Sequence, residues 1–135
     1  MQITVDKTEA LNDVMRESEY IGAKYNDYEN IRIKMSDEEL IRHWISDACL
    51  NIENELKELG GAGVAAGSAW VFQTTNVNGR DTWGSAAAQG YVENRALSEW
   101  LLLVNKKEQA EFYITKAGEK MAELKKLAYY RTLNV

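Results

Sequence analysis

The sequence predicts a mainly α protein: a four-helix bundle with a β-hairpin or strand arm inserted between the second and third helices. Three observations carry this. None of the 135 residues is proline, which suits long helices joined by few rigid turns. Apolar residues recur at helical intervals in four separate segments. One stretch, "AWVFQTTNVNGRDTWGSAAAQG" at 69–90, breaks that pattern with Trp70, Phe72 and Trp83 around an Asn-Val-Asn-Gly turn. The length fits one domain, 1–135, with 60–90 as an extended Gly/Ala-rich arm region.

In chain order, "QITV" at 2–5 reads as a short strand or an ordered lead-in. Asp6 and Glu9 then have capping-box spacing, in which each side chain satisfies an unpaired backbone N–H. Leu11, Val14, Met15, Ser18 and Ile21 follow at helical intervals, predicting a first helix over about 7–21. Tyr20, Tyr25 and Tyr28 line a polar connection and read as packing lids. Ser36 and Glu39 repeat the capping spacing. The stripe Ile41, Trp44, Ile45, Ala48, Ile52, Leu56 and Leu59 marks the second helix, and Gly60-Gly61 ends it.

A third helix is expected over about 86–104, with Ala88, Tyr91, Val92, Trp100, Leu101 and Val104 on its buried side. Asn105 and Glu108 form a third capping pair, opening a helix over about 106–130. Ala110, Ile114, Ala117, Met121, Leu124 and Ala128 alternate spacings of four and three, a heptad seam that favours a long antiparallel contact. The third and fourth helices should therefore form a tight hairpin about Asn105.

Between Gly60 and Gly90, a strand "AWVFQTT", a turn "NVNG" and a return through "RDTW" predict a two-stranded arm. Alternation puts Trp70 and Phe72 on one face. An isolated hairpin is marginal in water and must pack on something. Either it packs on its own helices, or the flanking small residues let it swing out to a neighbouring protein. On the second alternative Trp70, Phe72 and Trp83 are the anchors of a protein interface, since such rings bury much area at low conformational cost.

Charge and motifs narrow the chemistry. The net charge is −5, split between −8 over 1–105 (nine basic, seventeen acidic side chains) and +3 over 106–135 (seven basic, four acidic). This polarity argues against a general nucleic-acid binder and suits head-to-side packing of copies. The lone Cys49 excludes an internal disulfide, and the lone His43 excludes the usual zinc patterns. Both read as structural, and one cysteine suits a reducing cytoplasm. "GGAGVAAGS" lacks the lysine of a phosphate-binding loop and follows a helix, not a strand. The acids Asp37, Glu38 and Glu39 sit at a helix start, where the macrodipole explains them. Asp6, Glu9 and Asp13 interrupt any leader-like apolar run, and no segment is apolar over a membrane-spanning length. No enzyme, cofactor, metal or membrane contact is expected.

The order of two helices, a glycine-rich excursion with a strand, and a helical hairpin resembles the small head–tail connector (adaptor) proteins of tailed bacteriophages. It is most similar to versions from phages and prophages of gut Bacteroidetes, including the crAss-like type. The residues carrying the resemblance are Asn94 and Trp100-Leu101, the joint "NKKEQAEFY", the closing "LKKLAYYR" and the segment "EELIRHWISDACLNIENEL" at 38–56. Together these span about two-thirds of the chain. The resemblance implies a virion structural protein of the neck: a homo-oligomeric ring, typically of twelve copies. It would dock below the portal protein, meet the tail or further neck proteins, and be made in the host cytoplasm. DNA would pass through its channel without specific binding. Tyr129, Tyr130 and Arg131, in the closing segment, complete the candidate interface. The alternatives are another helical protein-interaction module or a winged-helix-type DNA-binding regulator. "FYITKAGEKMAELKKL" resembles a helix of the latter, with the aromatic hairpin as its wing.

Overall fold

A computed structural model describes residues 1–75 and 79–130. It is mainly helical, with one small antiparallel sheet of three strands. The elements in order are β1 (Gln2–Asp6), α1 (Lys7–Lys24), a single turn α2 (Tyr28–Ile31), α3 (Glu38–Glu55), β2 (Gly63–Ala66), β3 (Ala69–Gln73), α4 (Asp81–Leu103) and α5 (Lys107–Ala128).

Local signals set several boundaries. Asp6 caps α1, its Oδ1 accepting from the Glu9 N–H at 2.9 Å. The other half of the expected box is replaced: the Asp6 N–H donates to Gln89 Oε1 of α4 at 2.9 Å. The start of α3 departs from the expected box: its N-cap is Asp37, which makes no side-chain capping bond to the helix. The Asp37 carboxylate instead closes the preceding turn Met35–Asp37 by accepting from the Lys34 N–H at 3.1 Å. Asn105 likewise acts differently from expectation. Its φ is +61°, and the bonds Lys106 N–H to Leu101 O (2.8 Å) and Asn105 N–H to Leu102 O (3.2 Å) make a Schellman closure of α4. Asn105 ends the third long helix rather than capping the fourth, because an asparagine tolerates the left-handed conformation that the reversal needs.

The expected helical hairpin is present. α4 and α5 share the most extensive contact between any two elements. The seam is built from small residues and one leucine: Ala110, Ala117, Leu124 and Ala128 are buried, Met121 is half-buried and Ile114 is exposed. Helices close enough to bury alanine approach tightly, and a Cβ on Gly90 of α4 would sit 3.1 Å from the Lys120 side chain of α5.

The arm is where expectation and structure part. β3 does not pair with a return strand at 80–83, because α4 begins at Asp81 and carries Trp83 in its first turn. Positions 76–78 of the expected turn lie outside the described residues. β3 instead pairs on one side with β1 (Ile3 opposite Phe72, Val5 opposite Trp70) and on the other with β2 (Val64 opposite Val71). The hairpin turn is Gly67-Ser68, two residues long, with Gly67 at φ +62° where a primed turn places glycine. The order β1-β3-β2 puts the most apolar strand in the middle.

One face of this sheet is core. Ile3, Val5, Trp70 and Phe72 are buried against α1, α3 and α4, and the Trp70 and Phe72 rings stack with centroids 5.9 Å apart. Trp70 and Phe72 are therefore not anchors on a mobile arm; burial within their own domain removes them from the candidate interface. The core continues through Ile41, Ile45, Ala48, Cys49, Ile52 and Leu56 of the α3 side. Trp100 ties α4 to α2 by donating its indole N–H to Ile31 O at 2.6 Å.

The free edge of β1 is closed by a helix. N–H groups of Gln2, Thr4 and Asp6 donate to Asp81 Oδ2, Ser85 Oγ and Gln89 Oε1, at 3.2, 3.0 and 2.9 Å. The acceptors recur every fourth residue of α4, and the donors every second residue of β1. About 6 Å of helix rise matches about 6.7 Å of strand, so one face of α4 substitutes for a fourth strand.

Candidate protein interface

Antiparallel packing of α4 and α5 brings the first turn of α4 beside the last turn of α5. There the guanidinium of Arg80 lies 4.8 Å from the Trp83 ring centroid and 4.4 Å from that of Tyr130. Both rings are about half exposed, Trp83 at 57% and Tyr130 at 47%, while the exposed Tyr129 lines a separate cleft with Glu55 and Lys125. A cation held between two aromatic faces is worth about 0.5–1 kcal/mol per ring at an exposed site. It also fixes the rings side by side, before any partner arrives.

The same end of α5 is pinned to α3 by an ion pair of Lys125 with Glu55, and the Glu55 hydrogen bond raises the Lys125 pKa. Of the six side chains singled out from sequence, then, the structure gathers Trp83 and Tyr130, sets Tyr129 toward the end of α3, and buries Trp70 and Phe72 elsewhere. Arg131 lies outside the described residues. Arg80, which joins the two rings, was missed. Its signal was modest: a lone basic residue between Lys57 and Arg95, three positions before a tryptophan.

A second exposed aromatic surface lies at the opposite end of the hairpin. Tyr20 and Tyr25 of the α1 end face Phe112 and Tyr113 of α5 across a groove of about 300 Å³. Tyr20, Tyr25 and Tyr28 are exposed, so they do not act as lids on the core. The Tyr113 hydroxyl donates to Glu17 Oε1 at 3.0 Å, and Lys116 sits 5.0 Å over the Phe112 ring. These contacts hold the groove walls within the molecule.

Cys49 is buried, and burial pushes its thiol up to about 12. His43 is on the surface, its Nε2 3.3 Å from Asp47 Oδ2 one turn along α3.

Where α1 meets α4, Glu93 faces the acids Glu9 and Asp13, with Glu17, Arg16 and Lys116 around the same cleft. Burial foremost, then a hydrogen bond shared with Asp13, pushes the Glu93 carboxyl up to about 8, against a Gln89 amide bond of 3.0 Å that favours its anion. The native state thus binds a proton that the unfolded chain releases near pH 4.5. Stability is accordingly highest below that pH as far as this group is concerned, and falls as pH rises toward 8. Because the carboxyl is partly solvated, screening reduces the loss to about 1–2 kcal/mol. Thermal melts at pH 5, 6.5 and 8 should show a decline that Glu93→Gln flattens, since the amide still donates to Asp13 and accepts from Gln89. An unchanged slope in the variant would remove Glu93 as its source.

No protein-family model matches this chain, and no curated protein or solved structure is significantly similar to it.

Proposed function

We propose that this chain is a virion structural protein, a head–tail connector or adaptor that assembles as a ring below the portal and continues the DNA channel toward the tail. The observation that carries the proposal is the exposed Arg80–Trp83–Tyr130 stack at the open end of the α4–α5 hairpin. Two large rings held in place on the surface are what a protein contact uses as anchors. The charge split supports the same reading, since a basic last helix on an acidic body lets one copy's α5 meet its neighbour's acidic side. Twelve copies, the portal and tail partners, and residence in the virion neck after assembly in the host cytoplasm follow from the sequence resemblance. In such a ring an acidic wall would let DNA slide, because it offers no cations to release counter-ions.

Trp83→Ala combined with Tyr130→Ala should leave the melting temperature nearly unchanged, because both rings are largely outside the core. Ring formation, followed by native mass spectrometry and electron microscopy with and without a portal preparation, should weaken by about a hundredfold. Full assembly by the double variant would refute this interface.

One observation favours the winged-helix alternative. The β2–β3 hairpin follows α3 directly, as a wing follows a recognition helix, and the sheet order β1-β3-β2 joins it to the N-terminal strand. The electrostatics oppose it. α3 exposes Glu39, Asp47 and Glu55, with a half-buried Glu38 facing Arg42, and the hairpin tip Gly67-Ser68 carries no cation. Such a surface repels phosphates. Duplex binding at physiological salt should be weak and indifferent to sequence. Sub-micromolar, sequence-selective shifts in a mobility titration would reverse the order of the two readings.

A further inference from the structure

Gln89 of α4 bonds to two parts of the molecule at once. Its Oε1 accepts from the Asp6 N–H at 2.9 Å, and its Nε2 donates to Asp6 O at 3.0 Å. The same Nε2 donates to Glu93 Oε2, one turn along α4, also at 3.0 Å. Asp6 is the last residue of β1 and the cap of α1, where its Oδ1 takes the Glu9 N–H. One carboxamide therefore ties the sheet edge and the start of α1 to the Glu93 carboxyl. Asp6 is also held from its other side, in register with Ala69 of β3, and the next N–H, of Lys7, donates to Ser68 O at 2.8 Å.

The groups around Glu93 are mostly acidic. From α1, Glu9, Asp13 and Glu17 face it, beside Arg16. Arg16 is 3.2 Å from Asp13 and largely in solvent. From α5 come the Tyr113 hydroxyl, which is spent on Glu17, and Lys116, whose ammonium lies 5.0 and 5.8 Å from the Phe112 and Tyr113 ring centroids. Lys120 of α5 lies beside Gly90 and pairs with Glu123 at 3.5 Å. From β1 the nearest charge is Asp6, on the far side of Gln89. Among the described residues, no lysine or arginine forms an ion pair with Glu93. What joins α1 to Glu93 is a hydrogen bond with Asp13, which two carboxyl groups can make only while they hold a proton.

We propose that Glu93 is a proton-operated latch between α1 and α4, whose release opens the β1 edge at its Asp6 end. Protonated, Glu93 bonds Asp13 and keeps α1, and Asp6 with it, against Gln89. Ionised, it adds a third negative charge to Asp13 and Glu9, and α1 is pushed off α4. Gln89 decides where the contact parts. Its amide keeps Glu93, a neighbour on the same helix whose anion is the stronger acceptor, and gives up Asp6. Because Asp6 remains in register with Ala69, the edge separates from α4 and not from β3. The closed form holds the proton up to about pH 8, whereas a carboxyl in open water releases it near 4.5. Opening therefore grows as pH rises between those values and levels off above about 8. The latch shares no residue with the Trp83–Tyr130 surface, so it stands or falls separately from the ring.

Amide exchange followed by NMR from about pH 5 to 9, each rate divided by the intrinsic rate at that pH, reads the opening directly. Protection of the Asp6 N–H should fall at least ~10-fold between about pH 5.5 and 8 and then level off. Gln2, bonded to Asp81 at the other end of β1, should keep its protection. Asp6 should also stay less protected than Leu97 in the middle of α4, the mark of an opening short of unfolding. Glu93→Gln should remove the fall, since its amide donates to Asp13 throughout this range. Asp13→Asn should reduce it, by removing the anion that holds the proton. A flat Asp6 profile in the parent overturns the latch. So does a fall that survives undiminished in either variant, or one shared equally by Gln2 and Leu97, which would be unfolding of the whole chain.

Discussion

Phe72→Ala should destabilise the folded chain by about 3–5 kcal/mol, a large share of the ~5–15 kcal/mol available to a domain of this size. Phe72 is fully buried in the central strand, opposite Ile3, with its ring stacked on Trp70. Its removal leaves a void that β1, β3 and the covering helices cannot all move to fill, because both neighbouring strands are held in register. Adding Trp70→Ala should leave little folded protein at 37 °C. Urea or thermal unfolding followed by helical ellipticity checks this. The outcome also separates two roles for the aromatic strand: an anchor for a partner would leave the melt intact and cost assembly alone. A double variant that melts like the parent would contradict the burial described above.

Leu124→Asp should be comparably severe. Leu124 is fully buried, the one large side chain among the buried residues of the α5 seam. Truncation to alanine should cost about 2–5 kcal/mol. Aspartate adds the penalty of a carboxylate among apolar groups, and burial raises its pKa until part of the cost is met by protonation. Helical content should fall at pH 7 and recover in part near pH 5. Wild-type melts for both variants would mean that the hairpin seam faces solvent.

The helical part of the fold was legible because its signals are local. Asp6 capped α1, the four-three spacing from Ala110 to Ala128 gave the α4–α5 contact, and Asn105 marked the reversal, although as the end of one helix rather than the start of the next. The sheet was not legible as such. β2 is Gly-Val-Ala-Ala, with none of the alternation that announces a strand, and it forms because β3 offers a partner. Asp81 and the small residues after it extended α4 five positions earlier than its apolar stripe indicated. Alternation correctly placed Trp70 and Phe72 on one face, but periodicity cannot say whether that face meets the chain's own helices or another protein. For the candidate interface, Trp83 and Tyr130 were named separately. Their meeting on Arg80 depends on the pairing of helix ends 47 residues apart, a distance over which pattern carries no information.

The closure of the β1 edge by Asp81, Ser85 and Gln89 has a temporal side. The bonds join residues 79, 81 and 83 positions apart in sequence, while the α4–α5 turn joins neighbours. During synthesis the first strand emerges long before either β3 or the helix that completes its hydrogen bonding. Its pairing with β3 waits until residue 73 has been made, and its other edge stays open until the chain has passed residue 89. The loop entropy of those distant contacts slows that step relative to the hairpin. The helical hairpin is therefore the natural early structure in refolding from denaturant, and the sheet the late one. Substitutions at Ser85 or Gln89 should then slow folding less than they speed unfolding.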